Sequence, residues 1–286
     1  MFDHVGAHKL AVDHLTQAAH EDGISVVLHP HSVHIFPVKH CDLPRQSLPS
    51  ADYTISPRKE VVALVEHAAP VGQNLALGCA RYNRIWMEAL LQILRERFPP
   101  SARNLERVRV LVFSRQIAGL TFDDPIIGRI SALPFVDLRV KGKPRGCRRD
   151  DGESRVPSTA LIDWADVVVT AGSSVDLEAL WLDKVLIFCE YKARNADMPG
   201  RVASLSIPAM RGACAVAVCE EDVLTAISKF HADRSWRPAS REIVESVIDE
   251  LAYDSDPSRD VLGSYATFYR SLLSCGGKLN ECDRPN

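Results

Sequence analysis

Ala171, Gly172, Ser173 and Ser174 form a run of small residues between the valines Val167–Val169 and the amphipathic segment that ends at Leu182. Small side chains let a backbone turn sharply and approach a ligand. Two hydroxyls at a helix start can cap it, and helix N–H groups facing outward suit an anion, phosphate above all. An ordinary strand-to-helix turn with a serine cap is the alternative. Asp176 and Glu178 follow in the first turns, where negative charge complements the helix dipole. Glu178 is expected either to touch a ribose or sugar, or to stabilise its own helix from an exposed position. Arg81 and Arg115 each come just after an expected strand, in loops that also hold Gly78 and Ser114. Their guanidinium forks suit diphosphate oxygens.

Eight of the ten histidines fall within the first 40 residues, and His29, His31 and His34 share the segment HPHSVHIF. Histidine crowding raises the question of a metal. No HExxH pattern and no paired Cys/His spacing occurs, so no metal is expected. An imidazole of near-neutral pKa can instead act as a general base. His31 is therefore read as a base or as a loop histidine packed at a cleft. Lys141, Lys143, Arg145, Arg148 and Arg149 are the one strong basic cluster. They lack interleaved aromatics and are expected to be a solvated loop rather than a nucleic-acid surface.

These residues need a scaffold that gathers the ends of several strands. Val167–Val169 reads as a strand covered on both faces, and Val185–Phe188 as its neighbour. Further strands are expected near residues 75, 108, 135 and 215, with helices at 85–98, 125–133, 159–164, 220–230, 241–251 and 260–271. Strands alternating with helices predict an α/β fold, a Rossmann-like doubly wound parallel sheet. In the order 3-2-1-4-5-6, the strands near 75 and 167 would lie side by side at the switch point. Gly78–Arg81 would then line one crevice with Gly172–Ser174. The N-terminal residues 1–70 read as a partial α/β region, 71–275 as the Rossmann-like domain and 276–286 as a tail. Trp86, Trp164 and Trp181 lie on amphipathic helices and are expected in the core.

The 286 residues carry a net charge of −3, which offers nucleic acid no general attraction. No apolar run approaches the roughly 20 residues of a membrane-spanning helix and no signal pattern opens the chain, so a cytoplasmic protein is expected. Cys79, Cys189, Cys214 and Cys219 fall in or beside expected core strands, and no CxxC pair occurs. They read as reduced, buried thiols.

GCARYNRIWMEAL, VLVFSRQ, TALIDWADVVVTAGSSVDLEALWLDKVLIF and DPSRDVLGSYATFY together resemble bacterial surface-polysaccharide glycosyltransferase-like proteins of the GT-B fold and the related CDP-glycerol glycerophosphotransferases. The likeness runs from about residue 20 to 270. It implies a nucleotide-diphosphate donor, a glycan or lipid-linked acceptor, and room for peripheral association with the inner membrane surface. No cofactor beyond the donor is implied. His31 takes the place of the family's catalytic loop histidine, although Ser32 stands where glycine is usual. Gly78 and Arg81 match the first turn of the nucleotide domain, and Ser173, Ser174 and Glu178 the phosphate-contacting turn and its helix. A GT-B enzyme has two domains of comparable size, so the short N-terminal region implies truncation, with a partner subunit as one way to complete it. The alternatives are a UDP-N-acetylglucosamine 2-epimerase-like enzyme, which shares a serine/glycine turn leading to a glutamate-bearing helix, and a non-catalytic nucleotide-binding subunit.

Overall fold

The computed structural model describes residues 9–29, 51–62, 72–99, 101–114, 120–121, 123–142, 155–194 and 205–274. His31, Arg115, Lys143, Arg145, Arg148 and Arg149 lie outside them. The described chain contains α1 (Lys9–Glu21), β1 (Val27–Leu28), β2 (Tyr53–Ser56), β3 (Gln73–Ala76), α2 (Arg84–Arg97), β4 (Val108–Phe113), α3 (Pro125–Ser131), β5 (Val136–Lys141) and α4 (Ser158–Trp164). It continues with β6 (Val167–Thr170), α5 (Val175–Trp181), β7 (Val185–Cys189), α6 (Glu190–Arg194), α7 (Ile207–Met210), β8 (Ala215–Ala217), α8 (Glu220–Ala232), α9 (Arg241–Tyr253) and α10 (Val261–Ser274). The alternation read from the sequence is that of a mixed α/β protein with parallel sheets.

The chain divides into two compact units. One takes the N-terminal strands together with the chain from Asp249 on, and the other takes Met87–Ile248.

In the second unit five parallel strands stand in the order β5-β4-β6-β7-β8. The three inner strands, β4, β6 and β7, are buried at nearly every position, as mainly apolar strands should be when helices cover both faces; Arg109 of β4, also buried, donates to the Ser101 and Ala102 carbonyls. Val110 pairs with Val167 and Val167 with Val185, so branched side chains stack across the sheet. Ile126 and Ile130 of α3 and Val223, Ile227 and Phe230 of α8 join the same apolar core.

The first unit holds a separate parallel sheet, β1-β2-β3. The strand near residue 75 was expected in the large sheet. Instead it pairs with β2, from Tyr53↔Gln73 to Ser56↔Ala76. Gly72 shows why: it has φ +95°, and a Cβ there would sit 2.1 Å from the Ala51 carbonyl oxygen. Only glycine allows so close an approach of the two backbones. A division near residue 70 would therefore cut between two hydrogen-bonded strands. The order 3-2-1-4-5-6 is replaced by 2-1-3-4-5 in the five-stranded sheet, and the direction of winding reverses between β4 and β6.

Among the tryptophans, Trp164 is buried but Trp86 is 49% exposed, against the expectation of a core residue. Cys79, Cys189 and Cys214 are buried free thiols, whereas Cys219 is exposed. Burial pushes the Cys79 thiol up to about 11 and the Cys189 thiol up to about 12, which leaves both as inert apolar groups.

Candidate functional site

In open parallel sheets, ligands bind beyond the carboxyl ends of the strands where the winding reverses. Here that is the edge formed by the residues after β4 and β6. Val112 pairs with Val169, so two residues further on Ser114 stands in register with Ala171, on strands about 4.8 Å apart. The Ser114 N–H donates to the Lys141 carbonyl at 2.8 Å. Its hydroxyl is buried and has no hydrogen-bond partner among the described residues.

The turn after β6 differs from its expected form. Gly172 has φ +91°, the left-handed conformation its lack of a side chain permits. Its N–H donates to the Thr170 hydroxyl at 3.3 Å, and the Ser173 N–H donates to the Asp176 carboxylate at 3.3 Å. Thr170 in turn donates to the same carboxylate at 2.9 Å. Two of the N–H groups expected to face outward are thus satisfied by the chain itself. Ser174 takes the cap position but makes no capping bond through its hydroxyl. Asp176, fully buried, supplies the negative charge that a helix start favours. The hydroxyls of Ser173 and Ser174, both half-buried, are what the turn offers a ligand.

Glu178 is not on the surface. It is 1% exposed and accepts a hydrogen bond from the Thr159 hydroxyl at 2.8 Å, tying α5 to α4. The expectation of an exposed first-turn glutamate is corrected: Val175, Leu177 and Leu180 are buried too, so the short helix is covered almost all round.

After β7 come Tyr191 and Lys192. Sequence reasoning missed both, although their place after a buried strand was the available signal. The Tyr191 hydroxyl oxygen is buried without a hydrogen-bond partner among the described residues. Burial, reinforced by nearby anionic groups, pushes its pKa far up, so it remains a neutral donor. The Lys192 ammonium meets the Asp124 carboxylate at 2.7 Å. Asp124 itself caps α3 by accepting from the Ile126 N–H. Lys141, expected to be solvated, is buried, and its ammonium donates to the Val156 carbonyl at 2.6 Å. The edge therefore offers serine and tyrosine hydroxyls together with one lysine. That set can hydrogen-bond an oxygen-rich anion. Among the described residues no cluster of three or more His, Cys, Asp or Glu could hold a metal ion.

Gly78 and Arg81 belong to the first unit, so the expected meeting of Gly78–Arg81 with Gly172–Ser174 within one sheet does not occur. Gly78 has φ +82°, and a Cβ there would lie 2.7 Å from Val261 Cγ2 and 3.0 Å from the Ala252 carbonyl oxygen. The Tyr265 hydroxyl donates to the Gly78 carbonyl at 3.1 Å. The close approach that requires glycine is thus to the protein's own helices. The Arg81 guanidinium lies 5.6 Å from the centroid of the Tyr82 ring. Also in this unit, His29 directly follows β1. Its ring stacks on Tyr269 at 5.7 Å and 7°, and its Nε2 is hydrogen-bonded to the Tyr269 hydroxyl.

No family model matches the chain, and no curated protein matches it. Among solved structures it is similar to the wall teichoic acid polymerase TagF. A histidine-to-alanine variant of TagF aligns with TM-score 0.55 at 13% identity, over 89% of this chain and 70% of that one. A second TagF structure gives 0.54 at 13% identity, over 89% and 70%. The Anabaena protein HepE, in complex with UDP and glucose, aligns at 0.45 with 11% identity over 91% and 74%, too weak a likeness to argue from. At these identities the likeness is one of fold: the chain has a parallel-sheet, Rossmann-like α/β architecture similar to that of TagF.

Proposed function

We propose that the protein is a GT-B-type transferase, or the donor-binding part of one, that moves a glycosyl or glycerol-phosphate group from a nucleotide-activated donor to a cell-surface glycan acceptor. The observation that carries this reading is the buried Ser114 hydroxyl, without a partner among the described residues, at the reversal of the sheet. A buried donor left unmatched by protein is unfavourable, and a ligand oxygen would relieve it. The likeness in fold to a polymerase of wall teichoic acid supports the same class of reaction.

In this reading Ser114, Ser173 and Ser174 hydrogen-bond the donor's phosphates, and Arg115 adds a guanidinium. Glu178 and Gly172 hold the turn in shape, while Gly78 and Arg81 shape the first unit. The acceptor hydroxyl oxygen attacks the activated carbon or phosphorus. The bond to the nucleotide leaving group breaks, and the acceptor's proton passes to a base, the role assigned to His31. Donors fixed ahead of the reaction, where charge develops on the leaving group, lower the barrier.

Isothermal titration with CDP, UDP, GDP and CMP tests the reading directly. One nucleotide should bind, and Ser114→Ala with Ser173→Ala should weaken it about tenfold, the equivalent of roughly 1.4 kcal/mol. Absence of binding by all four nucleotides overturns the proposal.

A further inference from the structure

β8 is the last strand of the five-stranded sheet: β7 pairs along one side of it, and no described strand lies along the other. An edge strand of this kind carries backbone N–H and C=O groups directed away from the sheet. Beside it runs an open groove of about 340 Å³, wholly within the second unit. The groove is lined by β8, by Trp236 and by Asp222, Thr225, Ala226 and Lys229 of α8.

These four helix residues follow the spacing i, i+3, i+4, i+7, which places them on one face of α8. Thr225 and Ala226, at the middle of that face, are small. Lys229 is exposed, with its ammonium 5.9 Å from the centroid of the Trp236 ring and no carboxylate partner among the described residues. Asp222 has no cationic partner among them either. Its Oδ2 accepts the Val218 and Cys219 N–H groups at 2.9 and 3.2 Å, which closes the start of the helix. Arg237, which also lines the groove, is by contrast held by Asp183 at 3.2 Å. One anion and one cation thus stand two turns apart on the same helix face, separated by about 10 Å of helix and too far apart to pair with each other.

We propose that this edge is the interface of a twofold-symmetric dimer, the occupant being β8 and α8 of a second copy of the chain. α8 follows β8 after only Val218 and Cys219 and runs back over the sheet, with Val223, Ile227 and Phe230 in the core beneath it. Lys229 therefore stands level with the amino end of β8, and Asp222 with its carboxyl end. A twofold axis through the middle of β8 sets the two edge strands antiparallel, so that their outward backbone groups pair. The same axis passes between the small residues at the middle of each α8 face, and it sets Asp222 against the partner's Lys229. Val218, 59% exposed, is carried toward the partner's Trp236 and Pro238. The charges are complementary under the operation that pairs the strands. A parallel approach would instead set like charge against like.

Sedimentation equilibrium of the full chain, at concentrations up to about 200 µM, tests the assignment. Wild type should form a dimer whose population rises with concentration. Lys229→Glu sets two like-charged pairs across the axis and should weaken the dimer at least tenfold. Asp222→Asn keeps an oxygen for the Val218 and Cys219 N–H groups, and added to Lys229→Glu it should recover part of that loss by removing the repulsion. Thr225→Arg puts a long side chain into the middle of the groove and should leave a monomer at every concentration. Thr225 and Lys229 are exposed, so both single variants should keep the wild-type far-UV circular dichroism, which separates loss of the dimer from loss of the fold. Nucleotide binding plays no part in the readout, and the inference stands apart from the donor site. A monomeric wild type, a dimer that either Thr225→Arg or Lys229→Glu leaves at wild-type strength, or a double variant no stronger than Lys229→Glu alone each overturns the proposal.

Discussion

The Thr170 hydroxyl donates to the Asp176 carboxylate at 2.9 Å, and the same carboxylate takes the N–H of Ser173. One buried acid thus fixes the end of β6, the turn and the start of α5. Asp176→Ala leaves the Thr170 hydroxyl and the Ser173 N–H without that partner, and should cost about 1–3 kcal/mol of stability. The urea midpoint checks this, and an unchanged midpoint would show that the carboxylate does not organise the turn.

Glu178 and Thr159 make the parallel case between two helices. Thr159→Val removes the hydroxyl that donates to the buried carboxylate, and should lower stability by about 1–3 kcal/mol. Nucleotide affinity should stay within twofold of wild type, because the pair supports the turn without touching the donor. Titration with the nucleotide that binds the wild type, alongside urea unfolding, separates the two effects.

At Gly78 the expected change is purely steric. Alanine there would place its Cβ 2.7 Å from Val261 Cγ2 at a left-handed φ of +82°. Gly78→Ala should destabilise the protein by roughly 1–3 kcal/mol from backbone strain alone. A variant as stable as wild type would mean that Val261 and the turn yield easily.

His29 gives a pH dependence with a definite sign. Burial lowers its pKa from 6.5, so the folded protein holds the neutral imidazole and the unfolded chain takes up the proton first as pH falls. Stability from this residue is full above pH 6.5. It declines as pH drops through 6.5 toward the lower folded value, in the direction that linkage requires. Urea midpoints at pH 7.5 and 5.5 should differ less in His29→Asn than in wild type. An identical difference would remove His29 as the source.

The inner strands were legible because their burial is written locally. Val167–Val169 and Val185–Cys189 are continuous apolar runs and Val108–Phe113 is broken only by Arg109, and a run covered on both faces needs no partner information to be recognised. The partner of β3 was not legible. All four of its residues are half-buried, and its pairing with β2 is a non-local choice whose one local trace is Gly72. The turn after β6 was found from its small residues, but the bonds inside it depend on where Asp176 points. Thr159 lies 19 residues before Glu178, beyond the reach of a periodicity argument. Trp86 was misplaced because an amphipathic helix fixes how its faces differ and leaves open how wide the covered face is.

The first unit is assembled from the two ends of the chain. Its N-terminal strands are joined by the last turn of α9 and by α10, with the Cys79 N–H donating to Ala252, the Tyr265 hydroxyl to Gly78, and Tyr53 meeting Phe268 ring edge to face. During synthesis those strands emerge early and wait, because the helices that cover them come after Met87–Ile248 in the chain. Met87–Ile248 is contiguous and can fold while the ribosome is still working. The N-terminal sheet closes only when α10 is released, so its folding is governed by a loop that spans the whole of Met87–Ile248.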